Sequence, residues 1–492
     1  MISISRSLVR QFRAVARRAG LCKLDPRACV RLTATTEALR LQATNGRVAI
    51  GYQTPGRFDV ADISVPLQLF ADCESKKGDV VTIRRNESGG IIAIWDDRGV
   101  PQQHDYLSPE APEMPAFAGE LTTNPPSLLV ALRDAAATVE SSATRYSLNC
   151  IQLKGQTGTM AATDSRQLLV QSGFQFPWQE ELLMRVTDVF ASRELPSDLP
   201  VAIGRTEQGI TVRVGAWTIH HEIEKEGRFP KVDRIIPSAT AVKTRMQIDA
   251  ADVKFLTTTV GRLPADDQTD RPITLELNGA VIVRARKDEQ SPMMELLLRR
   301  SQRVGEQLRL QTNRTYLVRA LELGVTDIGF VNVESPCVCQ DATRTYVWTL
   351  LENKGALEPS TEALQIDSLS VPSNGTANVR VNGAGANQPP HNEVVTTTID
   401  TTSTAIVPVN RVAKHLPQRS AAGTNITTDV LPASPASQST DVIEQALALR
   451  NQLRSVVQGL TELVSQIRQQ RKQTRLMKST LQSLKQLQLL DA

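Results

Sequence analysis

Arg6, Arg10, Arg13 and Arg17 are spaced four, three and four residues apart, so on an α-helix they form one stripe. Leu8, Phe12 and Val15 fall on the opposite side, which is the pattern of a helix with one face on a core and one in solvent. Guanidinium groups in a row suit phosphate oxygens, which they contact without regard to base sequence. A plain solvated charged face fits the same spacing. So does a third reading, because the opening stretch MISISRSLVRQFRAVARRAG is acid-free and rich in Arg and Ser, the composition of an organellar transit peptide.

Residues suited to catalysis are thinly spread. His220 and His221 are adjacent on a segment that reads as a strand, and the five histidines make no metal spacing with the cysteines. No P-loop, nucleophile elbow or HExxH is present. Asp164, in the run ATDS, reads as a turn residue rather than a nucleophile. The six cysteines, at 22, 29, 73, 150, 337 and 339, lack CxxC pairing and read as reduced thiols of a cytoplasmic protein. These features predict a protein that is not an enzyme, with no catalytic residues, cofactor or metal.

The elements that would position the arginine stripe recur. A strand followed by a helix-start residue and an amphipathic helix is read near residues 3–19, 120–139 and 247–263, and a second strand-to-helix step near 63–73, 184–194 and 309–323. Short Val/Ile/Thr-rich runs such as 80–95 and 209–223, broken by Gly, Asn and Asp, read as hairpins. The expected fold is therefore α+β, three repeated units, each with two helices packed on antiparallel sheets.

Charge and composition divide the chain further. The net charge is +4, yet from residue 440 onward there are eight Lys/Arg against four Asp/Glu, which leaves 48 of each sign before it. The body is no polycation, so any nucleic acid must meet a locally basic face. Residues 356–439 are rich in Thr, Ser, Asn, Pro and Gly and read as a disordered linker. In 440–492 apolar residues alternate at spacings of four and three, from Val442 through Leu449, Leu453, Val456, Leu460 and Leu463 to Ile467, and again at Met477, Leu481 and Leu484. That is the seam of a coiled-coil helix. No apolar run reaches membrane-spanning length, so no membrane partner is expected.

Three ordered segments carry a resemblance. Arg145-Tyr146-Ser147-Leu148-Asn149 is similar to an RYxLNG strand, Ala162-Thr163-Asp164-Ser165-Arg166-Gln167-Leu168 to an ATDGHRLA segment, and residues 227–237 (GRFPKVDRIIP) to GRFPDYRRVLP. Asn313-Arg314-Thr315-Tyr316-Leu317 and Arg344-Thr345-Tyr346-Val347-Trp348 add weaker matches. Together they resemble the bacterial DNA polymerase III beta subunit, the sliding clamp, over residues 1 to about 352.

The resemblance implies three clamp domains, 1–118, 119–242 and 243–355, closing head to tail as a homodimeric ring. It implies a processivity factor that encircles double-stranded DNA, is placed there by a clamp loader, and docks DNA polymerase and other clamp-binding proteins. Arg6, Arg10, Arg13, Arg17, Arg145 and Tyr146 would face DNA. Leu148, Thr163, Ser165, Arg166, Gln167, Leu168, Pro230, Arg234, Ile235, Val347 and Thr349 would form the partner-peptide cleft. Ser165 stands where the family usually has Gly, Gln167 where Arg is common, and Trp348-Thr349-Leu350-Leu351 replaces the usual ending. At the C-terminus Gln486, Leu487, Leu489 and Leu490 resemble the peptide by which partners enter such a cleft, although a Leu/Gln-rich helix end explains them as well. The competing reading is a clamp-fold scaffold that assembles partners through its coiled coil without encircling DNA.

Overall fold

The computed structural model describes residues 1–22, 28–140, 146–265 and 270–369, and the backbone of 379–381. One strand order occurs three times over. In each case a meander of three antiparallel strands with a fourth strand beside its first forms one sheet, and a second strand-and-meander forms another, to which the third unit adds Gln302–Gly305 beside Thr244–Gln247. In the first unit these are Ala61–Pro66, Cys29–Ala34, Ala38–Thr44, Val48–Pro55, and Ile2–Ser5, Val80–Arg85, Ile91–Asp97, Val100–Tyr106. Alternation sets the faces: in Cys29–Ala34 the residues Val30, Leu32 and Ala34 are buried while Arg31 is exposed.

Sheets run through from unit to unit. Val48–Pro55 pairs antiparallel with Trp217–Glu222, and Gln167–Gln171 pairs antiparallel with Arg344–Trp348. In both cases the last strand of one meander joins the last strand of another. Each junction removes two exposed edges by the same pairing rule.

The helices are α1 (Arg6–Arg18), α2 (Leu67–Cys73), α3 (Ser127–Ala136), α4 (Ala250–Thr259) and α5 (Arg314–Glu322). Where the middle repeat was expected to carry its second helix there is only a 3-10 turn, Asp188–Ala191, whose buried apolar residues are Val189 and Phe190. Two core residues are too few to hold a longer amphipathic stripe. Ser5 and Asn313 cap α1 and α5 by accepting from the backbone N–H of Leu8 and Thr315 at 3.2 and 2.8 Å. Helix α1 is built into the fold: Val9, Phe12, Val15 and Ala16 are fully buried, and the Phe12 ring lies 5.8 Å from Phe70 and 6.0 Å from Trp217 of the second unit.

The segment read as linker from 356 onward is corrected at its start. Leu364–Asp367 is a strand, paired parallel with Met294–Leu298, and Val379–Val381 pairs with it in turn. Ala363 and Ile366 are buried, and two apolar contacts plus a sheet edge suffice to order a stretch whose composition is otherwise polar. The coiled-coil region 440–492 lies outside the described residues.

Burial at the first junction makes a pH-dependent element. His221 is fully buried against Phe190, and neither ring nitrogen has a partner among the described residues. Burial, with His220 as a smaller cause, pushes its pKa down to about 3. An unfolded histidine takes up a proton near about pH 6.5, so below that pH the unfolded state binds more protons and the fold weakens as pH falls. Urea unfolding is expected to show stability falling by up to about 1.4 kcal/mol per pH unit below that point, and the His221→Leu chain to lose most of this slope.

Candidate functional site

The arginine stripe does not survive intact. Arg6 is 4% exposed, its Nε donates to the Cys73 carbonyl at 2.6 Å, and its Nη atoms reach the Asp96 carbonyl and the Asp97 carboxylate. It pins the start of α1 to the end of α2 and is not available to DNA. The physical reason is that Arg6 is the first helical residue and turns back onto the neighbouring carbonyls, where periodicity alone would put it in solvent. Arg13 is half-buried and paired with Glu74 at 2.9 Å. Arg10 and Arg17 are exposed and make no ion pair among the described residues.

Other helices carry cations that sequence reasoning passed over. Lys254 on α4 is exposed and stands five residues after the N-cap Asp249, as Arg10 stands five after Ser5. Arg262 likewise matches the exposed Arg18, and Arg133 on α3 is exposed beside Asp134. Alignment of the repeats on their caps, rather than on their motifs, was the signal that could have found them. The helices also meet across the second junction, where Arg319 of α5 donates to the Asp134 carbonyl of α3 at 3.1 Å. Arg145 lies outside the described residues, and Tyr146 is half-buried.

The second junction gathers most of the predicted cleft. Leu168 faces Val347 in register, and the Thr349 N–H donates to the Arg166 carbonyl at 2.9 Å. Asp164 is a turn residue, accepting from the backbone of Arg166 and of Gln167 at 2.8 Å each, and Gln167 takes a 2.6 Å bond from the Tyr346 hydroxyl. Thr163 donates to the Gln167 carbonyl at 2.6 Å. Ser165 has φ +80°, the left-handed region, so glycine would sit there without strain. The start of the segment 227–237 packs on Ser147: the Ser147 N–H donates to the Arg228 carbonyl at 3.1 Å, and a Cβ on Gly227 would lie 1.9 Å from Ser147 Oγ.

Two cleft assignments need correction. Leu168 and Val347 are each 3% exposed, enclosed in a small apolar cluster with Phe229 and Val232, so they are floor and not open pocket wall. Arg166 is held by Asp270 at 2.6 Å and is not a free hand for a peptide backbone. Phe229 fills what alternation along the strand left open, a contact between distant segments that no local pattern shows. Leu148 and Pro230 are half-buried, and Arg234, Ile235 and Thr349 are exposed, with Ile235 at 47%. The exposed rim is thus an apolar residue flanked by cations, Arg228, Lys231 and Arg234.

No three His, Cys, Asp or Glu among the described residues are grouped to hold a metal. Burial pushes the Cys73 and Cys150 thiols up to about 12, which keeps them protonated and unreactive.

Two-sheet modules joined edge to edge by the last strands of their meanders define the sliding-clamp class of fold. The chain is similar to the DNA polymerase III subunit beta of Pseudomonas aeruginosa, at 20% identity and TM-score 0.58 over 71% of this chain and 99% of that one. It is similar to the DNA polymerase sliding clamp of Bacillus subtilis at 16% identity and TM-score 0.60, over 71% and 98%. The beta subunit from DNA polymerase of Streptococcus pyogenes matches at 15% identity and TM-score 0.60, over 71% and 99%. No protein-family model and no curated protein matches the sequence. Among the described residues no helix is long and apolar enough to cross a membrane.

Proposed function

We propose that this chain is a DNA sliding clamp: a non-catalytic, cytoplasmic processivity factor whose three domains, at 1–118, 119–242 and 243–355, form half of a ring around duplex DNA. The observation that carries this reading is the repeated edge pairing. Two junctions of one kind lie within the chain, and the same rule leaves Met294–Leu298 and Val100–Tyr106 as the complementary pair for a second copy. A heterologous contact of that kind closes into a ring when its rotation permits. Arg10, Arg17, Lys254 and Arg262 then supply mobile, sequence-blind attraction, while retention is topological. The rim of Ile235, Pro230, Leu148, Arg234 and Thr349 is the docking surface for polymerase and other clamp-binding proteins, with an apolar anchor on Ile235 and charge around it.

Protein assembled at high concentration on a closed circular duplex should stay with the DNA through gel filtration and leave once the circle is cut. Equal retention on circular and linear DNA would overturn encirclement and point to the scaffold reading.

A further inference from the structure

The ring-closing edge is already taken. Strand Leu364–Asp367 lies along Met294–Leu298, with the Leu364 N–H donating to the Met293 carbonyl at 2.8 Å and the Ser368 N–H to the Leu297 carbonyl at 3.0 Å. Gln365 donates to Glu295 at 3.0 Å, Arg299 to Asp367 at 2.8 Å, and Ile366 joins the core of the third unit. By contrast Val100–Tyr106 has, among the described residues, a single neighbour, Ile91–Asp97, and its other edge is unpaired there. A strand edge takes one partner, so a second copy and the C-terminal segment compete for the same backbone groups.

We propose that Leu364–Asp367 is an intramolecular cap on the ring-closing edge, and that the strand Val100–Tyr106 of a second copy of this chain is the partner it holds off. The inference rests on the ring reading above. Four observations favour a displaceable cap over a permanent strand of the sheet.

The cap pairs parallel, whereas both intrachain junctions are antiparallel, the somewhat stronger arrangement per residue. Its register spans four residues against five in each junction. The sheet face beneath the covering segment is polar: Leu357 N–H donates to Thr274 at 2.8 Å, Glu358 pairs with Arg309, and Arg284 bridges Glu276 and Glu295 at 2.7 and 2.6 Å. A face of paired charges tolerates water, so uncovering it exposes little apolar core beyond what Ala363 and Ile366 cover. A cleft of about 800 Å³ also separates residues 354–362 from the turn 286–293, so the cover is not packed tight. The cap nevertheless has an advantage of tethering, since a short connection holds it at an effective concentration on the order of millimolar.

Hydrogen exchange on the full chain reads both edges, whatever association other segments bring about. In the parent, amides of Leu364–Asp367 should be protected and those of the open edge of Val100–Tyr106 fast. In the full-length Leu364→Pro/Ser368→Pro chain, which removes the Leu364 and Ser368 donors, exchange in Val100–Tyr106 should slow by about tenfold or more at equal concentration, because the competent fraction sets apparent affinity. Arg299→Ala, which removes only the rim pair to Asp367 and leaves the core untouched, should shift it the same way by less.

Protection of both edges at once in the parent would overturn the cap while leaving the ring intact. Unprotected Val100–Tyr106 in all three chains would also overturn it; if retention on circular DNA then persists, the ring closes by another edge, and if that fails too, the ring reading goes with it.

Discussion

An Arg314→Met chain is expected to unfold with about 3–5 kcal/mol less free energy than the parent, the largest stability loss foreseen from neutral replacement of one polar side chain. Arg314 is 3% exposed, and its guanidinium donates to five carbonyls, those of Val260, Leu263, Pro264, Arg271 and Pro272. These close the end of α4 and the strand that follows it. Methionine fills the stem volume and donates to none of them; the Val260 and Arg271 carbonyls keep backbone donors from Leu263 and Arg314, and the other three, left without the guanidinium, each cost about 1–3 kcal/mol, partly relieved by relaxation. Urea unfolding followed by circular dichroism measures it, with Arg10→Met as the control expected within about 0.5 kcal/mol of the parent. A loss below about 1 kcal/mol would show that water reaches those carbonyls.

The second large effect is on DNA. Reversing Arg10 and Arg17 to glutamate leaves the core of α1 in place, because both side chains are exposed and Val9, Phe12, Val15 and Ala16 carry the packing. Each lost phosphate contact should flatten the slope of log K against log salt by about 1, so the double variant should lose about 2 per chain and bind duplex weakly even at low salt. The same reversal at Arg6 would instead unfold the first unit, since that group is buried among carbonyls and carboxylates. Fluorescence anisotropy across a salt series, with thermal melts alongside, separates the two. An unchanged slope would remove α1 from the DNA-facing surface.

Arg6 and Arg314 show why part of the site was not legible from sequence. Both follow an N-cap, Ser5 or Asn313, and open a helix, and both fold back onto the far end of the paired helix. Helical spacing says which residues share a face, but it is silent on whether the first residue points along that face or beneath it. Leu168 and Val347 were placed together by the family resemblance alone, yet their enclosure by Phe229 and Val232 comes from a segment about sixty residues from Leu168 and more than a hundred from Val347.

The sequence by itself determined the α+β class, the threefold recurrence of strand and helix, and the amphipathic character of α1. All of these follow from local periodicity, capping and turn chemistry, which depend on residues a few positions apart. Only the tertiary structure decided which arginines are free, which cleft residues are floor, and that Leu364–Asp367 occupies a sheet edge. Those outcomes depend on what distant segments cover, and a polar stretch such as 356–369 has no periodicity of its own; its order comes from the edge it meets.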